Sequence, residues 1–139
     1  YKHAANREAQ HAFWNMAGEH NHPMDFEIMP RAVFSSPQVA AVGLREQDAK
    51  ARGIEHRAVR FDYLETGMGL AMEAEDAFIK LLLDPEEPKI LGCHIMGPDA
   101  STLIHEVVVV MAAMEGNPAG ITVPVHIHPS LSEVIQRAL

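Results

Sequence analysis

The stretch DAFIKLLLDPEEPKILGCHIM, residues 76–96, decides the fold class of this 139-residue chain. Two apolar segments, Asp76 to Leu83 and Lys89 to Met96, flank an acidic loop that contains two prolines. Short apolar runs on either side of a five-residue turn are typical of a β-hairpin. We therefore predict two antiparallel strands joined by residues 84–88.

A helix is predicted directly after the hairpin, from Ala100 to Met114. Asp99 is a plausible N-cap, and the Gly-Asn-Pro sequence at 116–118 is a clear stop signal. Apolar residues recur at positions 100, 103, 104, 107, 108 and 111, with Val109 and Val110 on the other side. Such a helix is apolar on more than one face, so we expect one face to pack on the sheet and another to contact a two-fold partner. The alternative is a helix buried entirely within its own domain.

The flanking sequence adds three strands and two helices. The predicted helices are Ala4 to Ala17 and Glu46 to Arg52, and the predicted strands are Arg31 to Phe34, Val39 to Leu44 and His56 to Asp62. Residues 19–25 are polar and are predicted to form a loop. This arrangement indicates the α+β class.

Composition excludes several classes of function. A net charge of −8 without a basic cluster argues against a nucleic-acid partner. We found no apolar run long enough to span a bilayer and no secretion leader, so we expect no membrane partner. The single cysteine, Cys93, allows no internal disulfide, which fits a cytoplasmic location. A chain that starts at Tyr1 instead of methionine is expected to be an excised piece.

The tail HIHPSLSE, residues 126–133, carries the most informative chemistry. His128 precedes a proline, which favours an extended or turn conformation for the histidine. Ser130 or Ser132 could cap a short terminal helix, and Glu133 would then project from its first turn towards the imidazole. A carboxylate on one ring nitrogen fixes the tautomer of a histidine and stabilises its charged form. The tail is therefore either half of an acid/base site or a capped helix with a surface histidine.

The tail resembles the C-terminal signature of the flavin-dependent pyridine nucleotide-disulfide oxidoreductases, which include dihydrolipoamide dehydrogenase, glutathione reductase and mercuric reductase. Three further segments are similar to that family in the same order: residues 30–44, residues 78–81 and residues 90–98. The resemblance covers Pro30 to Leu139.

The resemblance implies a dimerisation domain over residues 30–139, with a mainly antiparallel sheet of about five strands and helices packed on it. Residues 1–29 would lead in from a flavin-binding region that precedes this chain. The full-length enzyme would use FAD, NAD(P) and a redox-active disulfide. The isolated chain would bind no cofactor and be inactive. The implied partners are a second copy, the upstream domains and a 2-oxo acid dehydrogenase complex.

The resemblance also implies roles for individual residues. His128 matches the acid/base that serves the interchange cysteine of the opposite subunit, and Glu133 matches the carboxylate that orients it. The carbonyl of His128 would approach the flavin, and so would the backbone at Lys2 and His3. A cis peptide bond is expected before Pro129.

The substrate is less sharply indicated. The additional histidine at 126 is similar to that of dihydrolipoamide dehydrogenases, which favours lipoamide. The segment 69–73 and the residues around His128 also resemble reductases of low-molecular-weight disulfides of the mycothione or glutathione type. Mercuric reductase and a purely structural dimerisation module are the remaining alternatives.

Three other features carry little functional weight. His126 and His128, with His20 or His22, could bind a metal, but histidines two apart on an extended segment point to opposite faces. We therefore predict no metal site. Cys93 lies in an apolar strand pattern and is expected to be a small core residue. The sequence Gly-Met-Gly at 67–69 lacks the third glycine of a dinucleotide-binding fingerprint.

Overall fold

The computed structural model describes residues 1–18 and 21–139, so His20 and part of the predicted loop lie outside the described residues. Its strands are β1 (Arg31–Val33), β2 (Gln38–Gly43), β3 (Arg57–Asp62), β4 (Phe78–Leu83) and β5 (Ile90–Gly97). Its α-helices are α1 (Lys2–Met16), α2 (Glu46–Ala51), α3 (Gly67–Ala71), α4 (Ala100–Ala113), α5 (Ala119–Thr122) and α6 (Glu133–Ala138). A 3₁₀ turn spans Tyr63–Glu65.

The predicted hairpin is confirmed and lies inside the sheet. Strands β4 and β5 pair antiparallel, with Phe78 opposite Met96 and an irregularity in register between Leu82 and Leu83. The strand order is β1-β2-β5-β4-β3, and all neighbours are antiparallel. The predicted α+β class, with five antiparallel strands and helices packed on the sheet, is confirmed.

One face of the sheet forms the hydrophobic core with the helices. Helix α4 contacts β2 and β5, while α6 contacts β3 and β4. Alternate residues of β4, such as Ile79 and Leu81, are buried beneath the two helices because successive side chains of a strand point to opposite faces. Cys93 of β5 is fully buried in the same cluster, as its apolar surroundings predicted.

Helix α4 is apolar around most of its circumference, but its orientation differs in part from the prediction. Ala100, Ile104, Val107 and Val110 form its buried face. Val110 was assigned to the opposite face, which is wrong, because the pattern of an all-round apolar helix does not fix which side meets the sheet. Val109 is 60% exposed, so a second apolar face remains uncovered within this chain.

The start of α4 also differs from the prediction. Asp99 does occupy the N-cap position, but its backbone lies in the left-handed region at φ 56° and its side chain makes no capping hydrogen bond. The side chain of Asp99 therefore does not stabilise the start of α4 by a capping hydrogen bond, as the sequence had suggested.

Residues 63–71 form a short helical segment that the sequence analysis missed. The hydroxyl of Thr66 accepts a hydrogen bond from the backbone of Gly69 and so begins α3. A Cβ atom at Gly69 would lie 1.9 Å from the carbonyl oxygen of Tyr63. The glycine is therefore required for close packing of α3 on the 3₁₀ turn, not for binding a phosphate.

Helix α1 stands apart from this core. None of its residues is buried. Its contacts with the rest of the chain include hydrogen bonds from His3 to the carbonyl oxygen of Pro30, 2.8 Å, and from His11 to that of His22, 2.9 Å. Among the described residues, no helix is long and apolar enough to cross a membrane.

Candidate functional site

The site is built on the segment that joins α5 to α6, residues 123–132. This segment contains neither helix nor strand, and Pro124 and Pro129 restrict its backbone. The expected cis peptide bond between His128 and Pro129 is present. The segment ends where α6 begins, at Glu133, and α6 is anchored in the core by Val134, Ile135 and Ala138.

The structure brings His128 and Glu133 together. Nδ1 of His128 donates to Oε1 of Glu133 at 2.9 Å. The imidazole is 68% exposed, whereas the carboxylate side chain is only 8% exposed. Within the described residues, no hydrogen-bond partner faces Nε2 of His128. The pair therefore presents one free ring nitrogen to the surface from a fixed orientation.

The carboxylate of Glu133 is held by more than the imidazole. Its second oxygen, Oε2, accepts the backbone N–H of Ser130 at 3.0 Å. That hydrogen bond, followed by the contact with His128, holds the pKa of Glu133 below its usual value. Glu133 is therefore ionised at neutral pH and able to stabilise a charged imidazole.

The predicted hydroxyl cap of α6 is not formed. Ser132 is the N-cap residue but makes no capping hydrogen bond. The hydroxyl of Ser130 is buried and has no hydrogen-bond partner among the described residues. Because the carboxylate of Glu133 accepts the backbone N–H of Ser130, it closes the turn that a serine was expected to close.

Residues 65–67 form one wall of the site, which sequence reasoning missed. A Cβ atom at Gly67 would lie 3.6 Å from Cε1 of His128, so the glycine backbone packs beside the imidazole. Arg137 of α6 donates to the carbonyl oxygen of Glu65 at 3.1 Å and lies 3.8 Å from Oε1 of Glu133. The paired glycines at 67 and 69 were the available signal, but the sequence analysis tested them only against a dinucleotide-binding fingerprint, which they do not complete.

A second histidine–glutamate pair lies two residues upstream. Nε2 of His126 lies 2.9 Å from Oε1 of Glu106 on α4, and Nδ1 lies 3.1 Å from the carbonyl oxygen of Pro124. The side chain of His126 is only 7% exposed. His126 and His128 thus face different partners, and the described residues contain no cluster of three or more potential metal ligands.

The remaining predicted site residues lie on α1. Lys2 begins this helix, and His3 contacts Pro30 and stacks on the ring of Tyr1. The described hydrogen bonds and ring contacts do not join Lys2 or His3 to the tail site. Cys93 lies within the core, and burial raises the pKa of its thiol above the usual range, so it is not a nucleophile.

The geometry is suited to moving a proton. An exposed imidazole whose other nitrogen is fixed by an ionised carboxylate can accept a proton and return it. The chain has one cysteine, so it cannot form a redox disulfide within itself.

Known proteins share both sequence and fold with this chain. It is 34% identical over 136 residues to the dihydrolipoyl dehydrogenase of Bacillus subtilis, covering 98% of this chain and 28% of the relative. Its fold matches LpdA from Mycobacterium tuberculosis with a TM-score of 0.79 at 23% identity, covering 91% of this chain and 28% of that one.

A third similar protein is the HOCl-induced flavoprotein disulfide reductase RclA of Escherichia coli, solved as a Cu(II) complex. The TM-score is 0.72 at 26% identity, covering 81% of this chain and 25% of RclA. This chain thus spans about a quarter of the length of each relative. Residues 29–139 match the dimerisation domain of the pyridine nucleotide-disulphide oxidoreductases, and the chain therefore belongs to that family.

Proposed function

We propose that this chain is the C-terminal dimerisation domain of a flavin-dependent, dihydrolipoamide dehydrogenase-like disulfide oxidoreductase. In this proposal, His128 and Glu133 act as an acid/base pair in the active site of the partner subunit. The observation that carries the proposal is the exposed His128 imidazole, whose Nδ1 is fixed by Glu133 while Nε2 has no partner among the described residues.

Proton transfer at Nε2 of His128 would serve thiol–disulfide interchange. Only a thiolate attacks a disulfide, and the thiolate that departs leaves more readily if it is protonated. Neutral His128 would take a proton from an incoming dithiol and become imidazolium, which Glu133 stabilises. In the opposite direction, the imidazolium would return that proton to the departing thiolate. No step requires His128 to form a covalent bond.

FAD, NAD(P) and the redox-active disulfide would belong to the polypeptide upstream of this domain. FAD would supply a two-electron relay between the nicotinamide and the disulfide. We propose that residues 1–29 lead in from the flavin-binding region, and that Lys2, His3 and the carbonyl of His128 approach the flavin. Support comes from the exposed position of His128 and from the contact between His3 and Pro30. The isolated chain is expected to bind no cofactor and to be inactive.

The second copy in the proposed homodimer would cover apolar surface near the tail. Val109 of α4 is exposed, and Val123, Val125 and Ile127 of the connecting segment are even more so. Such a surface is costly to leave in water and is typical of a protein–protein interface. We further propose association with a 2-oxo acid dehydrogenase complex, on the strength of the similarity to dihydrolipoyl dehydrogenase. A cytoplasmic location is proposed because the one cysteine of the chain is a free thiol.

Lipoamide is our proposed disulfide substrate because a dihydrolipoyl dehydrogenase is 34% identical to this chain. The buried position of His126 means that this residue does not contact the substrate directly. A low-molecular-weight disulfide such as mycothione or glutathione would use the same acid/base pair. Steady-state assays of the full-length enzyme with each disulfide decide between these substrates.

His128→Ala in the full-length enzyme tests the acid/base role. We expect turnover with the disulfide to fall by about 10² to 10⁴-fold, because general acid/base help contributes about that much to rate. Reduction of the enzyme by NAD(P)H involves no departing substrate thiolate and should change little. Stopped-flow measurement of the two half-reactions separates these effects.

The matched control is Glu86→Ala, which alters an exposed carboxylate in the loop between β4 and β5. The control should leave both half-reactions unchanged. Unchanged disulfide turnover in His128→Ala would contradict the proposed acid/base role. Loss of the dimer in that variant would favour a purely structural tail.

A further inference from the structure

The segment that carries His128 is held in place by side chains. Among the described residues, no hydrogen bond between backbone groups involves residues 124–130. Val125 and Ile127 are 98% and 79% exposed, so their side chains do not anchor the segment to this chain. The position of the imidazole at 128 therefore depends on the few side-chain contacts of the segment.

His126 is the buried anchor of this segment. Its two ring nitrogens lie opposite two acceptors, the carboxylate of Glu106 and the carbonyl oxygen of Pro124. A neutral imidazole donates one hydrogen bond, whereas an imidazolium donates two. The doubly protonated ring therefore satisfies both acceptors, and the contact with Glu106 becomes a charge-assisted hydrogen bond.

Glu106 connects this anchor to a helix that packs into the core of the domain. Helix α4 places Ile104, Val107 and Val110 in the core, and it contacts β2 and β5. The two residues of the pair are 20 positions apart in sequence. The hydrogen bond thus ties the irregular segment to a rigid element, at a point two residues before His128.

We propose that His126 and Glu106 are a positioning pair, which holds the segment so that Nε2 of His128 is presented at a fixed place. This inference rests on the proposed acid/base function of His128. His126 is not placed to touch reacting groups, because both of its ring nitrogens already have partners within the chain. The contribution of the pair is to geometry, and misplacement of a reacting group by about 1 Å can cost about 10²-fold in rate.

Glu106→Ala and Glu106→Gln in the full-length enzyme test the pair. Alanine leaves Nε2 of His126 without its partner and should slow the disulfide half-reaction by about 10- to 100-fold. Glutamine can donate its amide N–H to Nε2 of a neutral His126, while Nδ1 still donates to Pro124. The glutamine variant should therefore stay within about 3-fold of the parent rate, since the geometry is kept. Reduction by NAD(P)H should be unchanged in both.

Imidazole ¹⁵N NMR gives a readout that a merely stabilising contact would not move. We expect both ring nitrogens of His126 to be hydrogen-bonded in the parent enzyme and in Glu106→Gln, and Nε2 to lose its partner in Glu106→Ala. In Glu106→Ala, the His128 resonances should broaden or shift because the segment is no longer fixed. His126→Asn, which keeps a donor towards Pro124 but loses Glu106, should match Glu106→Ala and serves as a second variant where the first does not fold.

The outcomes separate this inference from the proposed function. If His128→Ala slows the disulfide half-reaction but Glu106→Ala does not, the positioning role is wrong and the acid/base role stands. If Glu106→Ala slows both half-reactions equally, or if Glu106→Gln is as slow as Glu106→Ala, the positioning role is also overturned. If His128→Ala has no effect, the proposed function itself fails. Glu86→Ala is again the control.

Discussion

Two histidines that lie two residues apart in the tail each contact a glutamate, and the two pairs differ in which side chain is exposed. In the first pair the imidazole of His126 is 7% exposed and the carboxylate of Glu106 is 33% exposed. In the second pair the imidazole of His128 is 68% exposed and the carboxylate of Glu133 is 8% exposed. The same two residue types thus expose the carboxylate in one pair and the imidazole in the other.

The difference shows which group of each pair is available for chemistry. Both nitrogens of His126 make hydrogen bonds within the chain, so this imidazole has no nitrogen left for a substrate. In the part of the chain that the structure describes, His128 uses only Nδ1, and its partner Glu133 is additionally fixed by the backbone of Ser130. A histidine is suited to acid/base work when its partner is buried and the imidazole itself is not.

The largest effect is expected when the proposed dimer is disrupted, because His128 and Glu133 would then no longer reach the active site of the partner subunit. Val109→Asp places a carboxylate on the exposed face of α4, and an unpaired charge in an apolar contact costs about 3 kcal/mol or more, or about 10²-fold in the dimer dissociation constant. Disulfide turnover should fall with the dimer, whereas the contact between His126 and Glu106 should persist in the monomer. Sedimentation equilibrium measures the dissociation constant.

Val109→Ala is the control, since it shortens the side chain without adding charge. It should weaken the dimer much less than the aspartate. A dissociation constant unchanged by Val109→Asp would show that α4 lies outside the interface.

A smaller effect is expected from breaking each pair in turn and measuring stability. His126→Ala removes two hydrogen bonds of a side chain that is only 7% exposed and should lower the free energy of unfolding by about 1 to 3 kcal/mol. His128→Ala removes an exposed ring and should lower it by about 0.5 kcal/mol or less. Urea denaturation of the two variants and the parent gives both values. Equal losses in the free energy of unfolding would contradict the proposed difference between the anchored His126 and the exposed His128.

Titration provides a third way to sharpen the comparison. The pKa of Glu133 is lower in the folded protein than its usual value, chiefly because of the Ser130 N–H and then His128. Its contribution to stability is therefore complete above the pKa of an unfolded glutamate, about 4.3. That contribution is lost as the pH falls through the lower folded-state value.

Glu133→Gln has no such titration. The difference in Tm between the parent and this variant should shrink as the pH falls from about 6 to about 3. Thermal unfolding followed by circular dichroism at a series of pH values measures it. A difference that stays constant with pH would mean that the carboxylate contributes nothing specific to the folded state.

The smallest effect is expected at Arg137. Its guanidinium lies 3.8 Å from Glu133 and is 49% exposed, so its electrostatic contribution is screened by water. Arg137→Met should change the free energy of unfolding by less than about 1 kcal/mol. Disulfide turnover should change by less than about 3-fold, which corresponds to less than 1 kcal/mol in activation free energy. A loss as large as that of His128→Ala would make Arg137 part of the acid/base machinery.

Local patterns allowed much of the fold and one of the two pairs to be predicted. The β4–β5 hairpin follows from two apolar runs around a proline-containing loop. The contact between His128 and Glu133 spans five residues and depends mainly on where α6 begins. The hairpin needed only the backbone preferences of a short stretch. For the tail, the residues alone left two alternatives open, and the family resemblance favoured the acid/base pair.

Features that depend on tertiary packing could not be predicted in this way. The partner of His126 is Glu106, which lies 20 residues earlier in the sequence, on α4. The two residues meet only after the chain has folded back onto that helix. The side of α4 that bears Val110 depends on how the helix is rotated against the sheet. The roles of Gly67 and Gly69 depend on close approach to His128 and Tyr63, which a motif search does not reveal.

The buried thiol of Cys93 has a practical consequence for labelling. A thiol reagent reacts with thiolates that it can reach, and burial in β5 denies Cys93 both access and ionisation. Because this is the one cysteine of the chain, alkylation of the folded full-length enzyme should leave the dimerisation domain unmodified. The same reagent would then count the accessible thiols outside this domain, including those of the proposed redox disulfide, without any mutation of the domain.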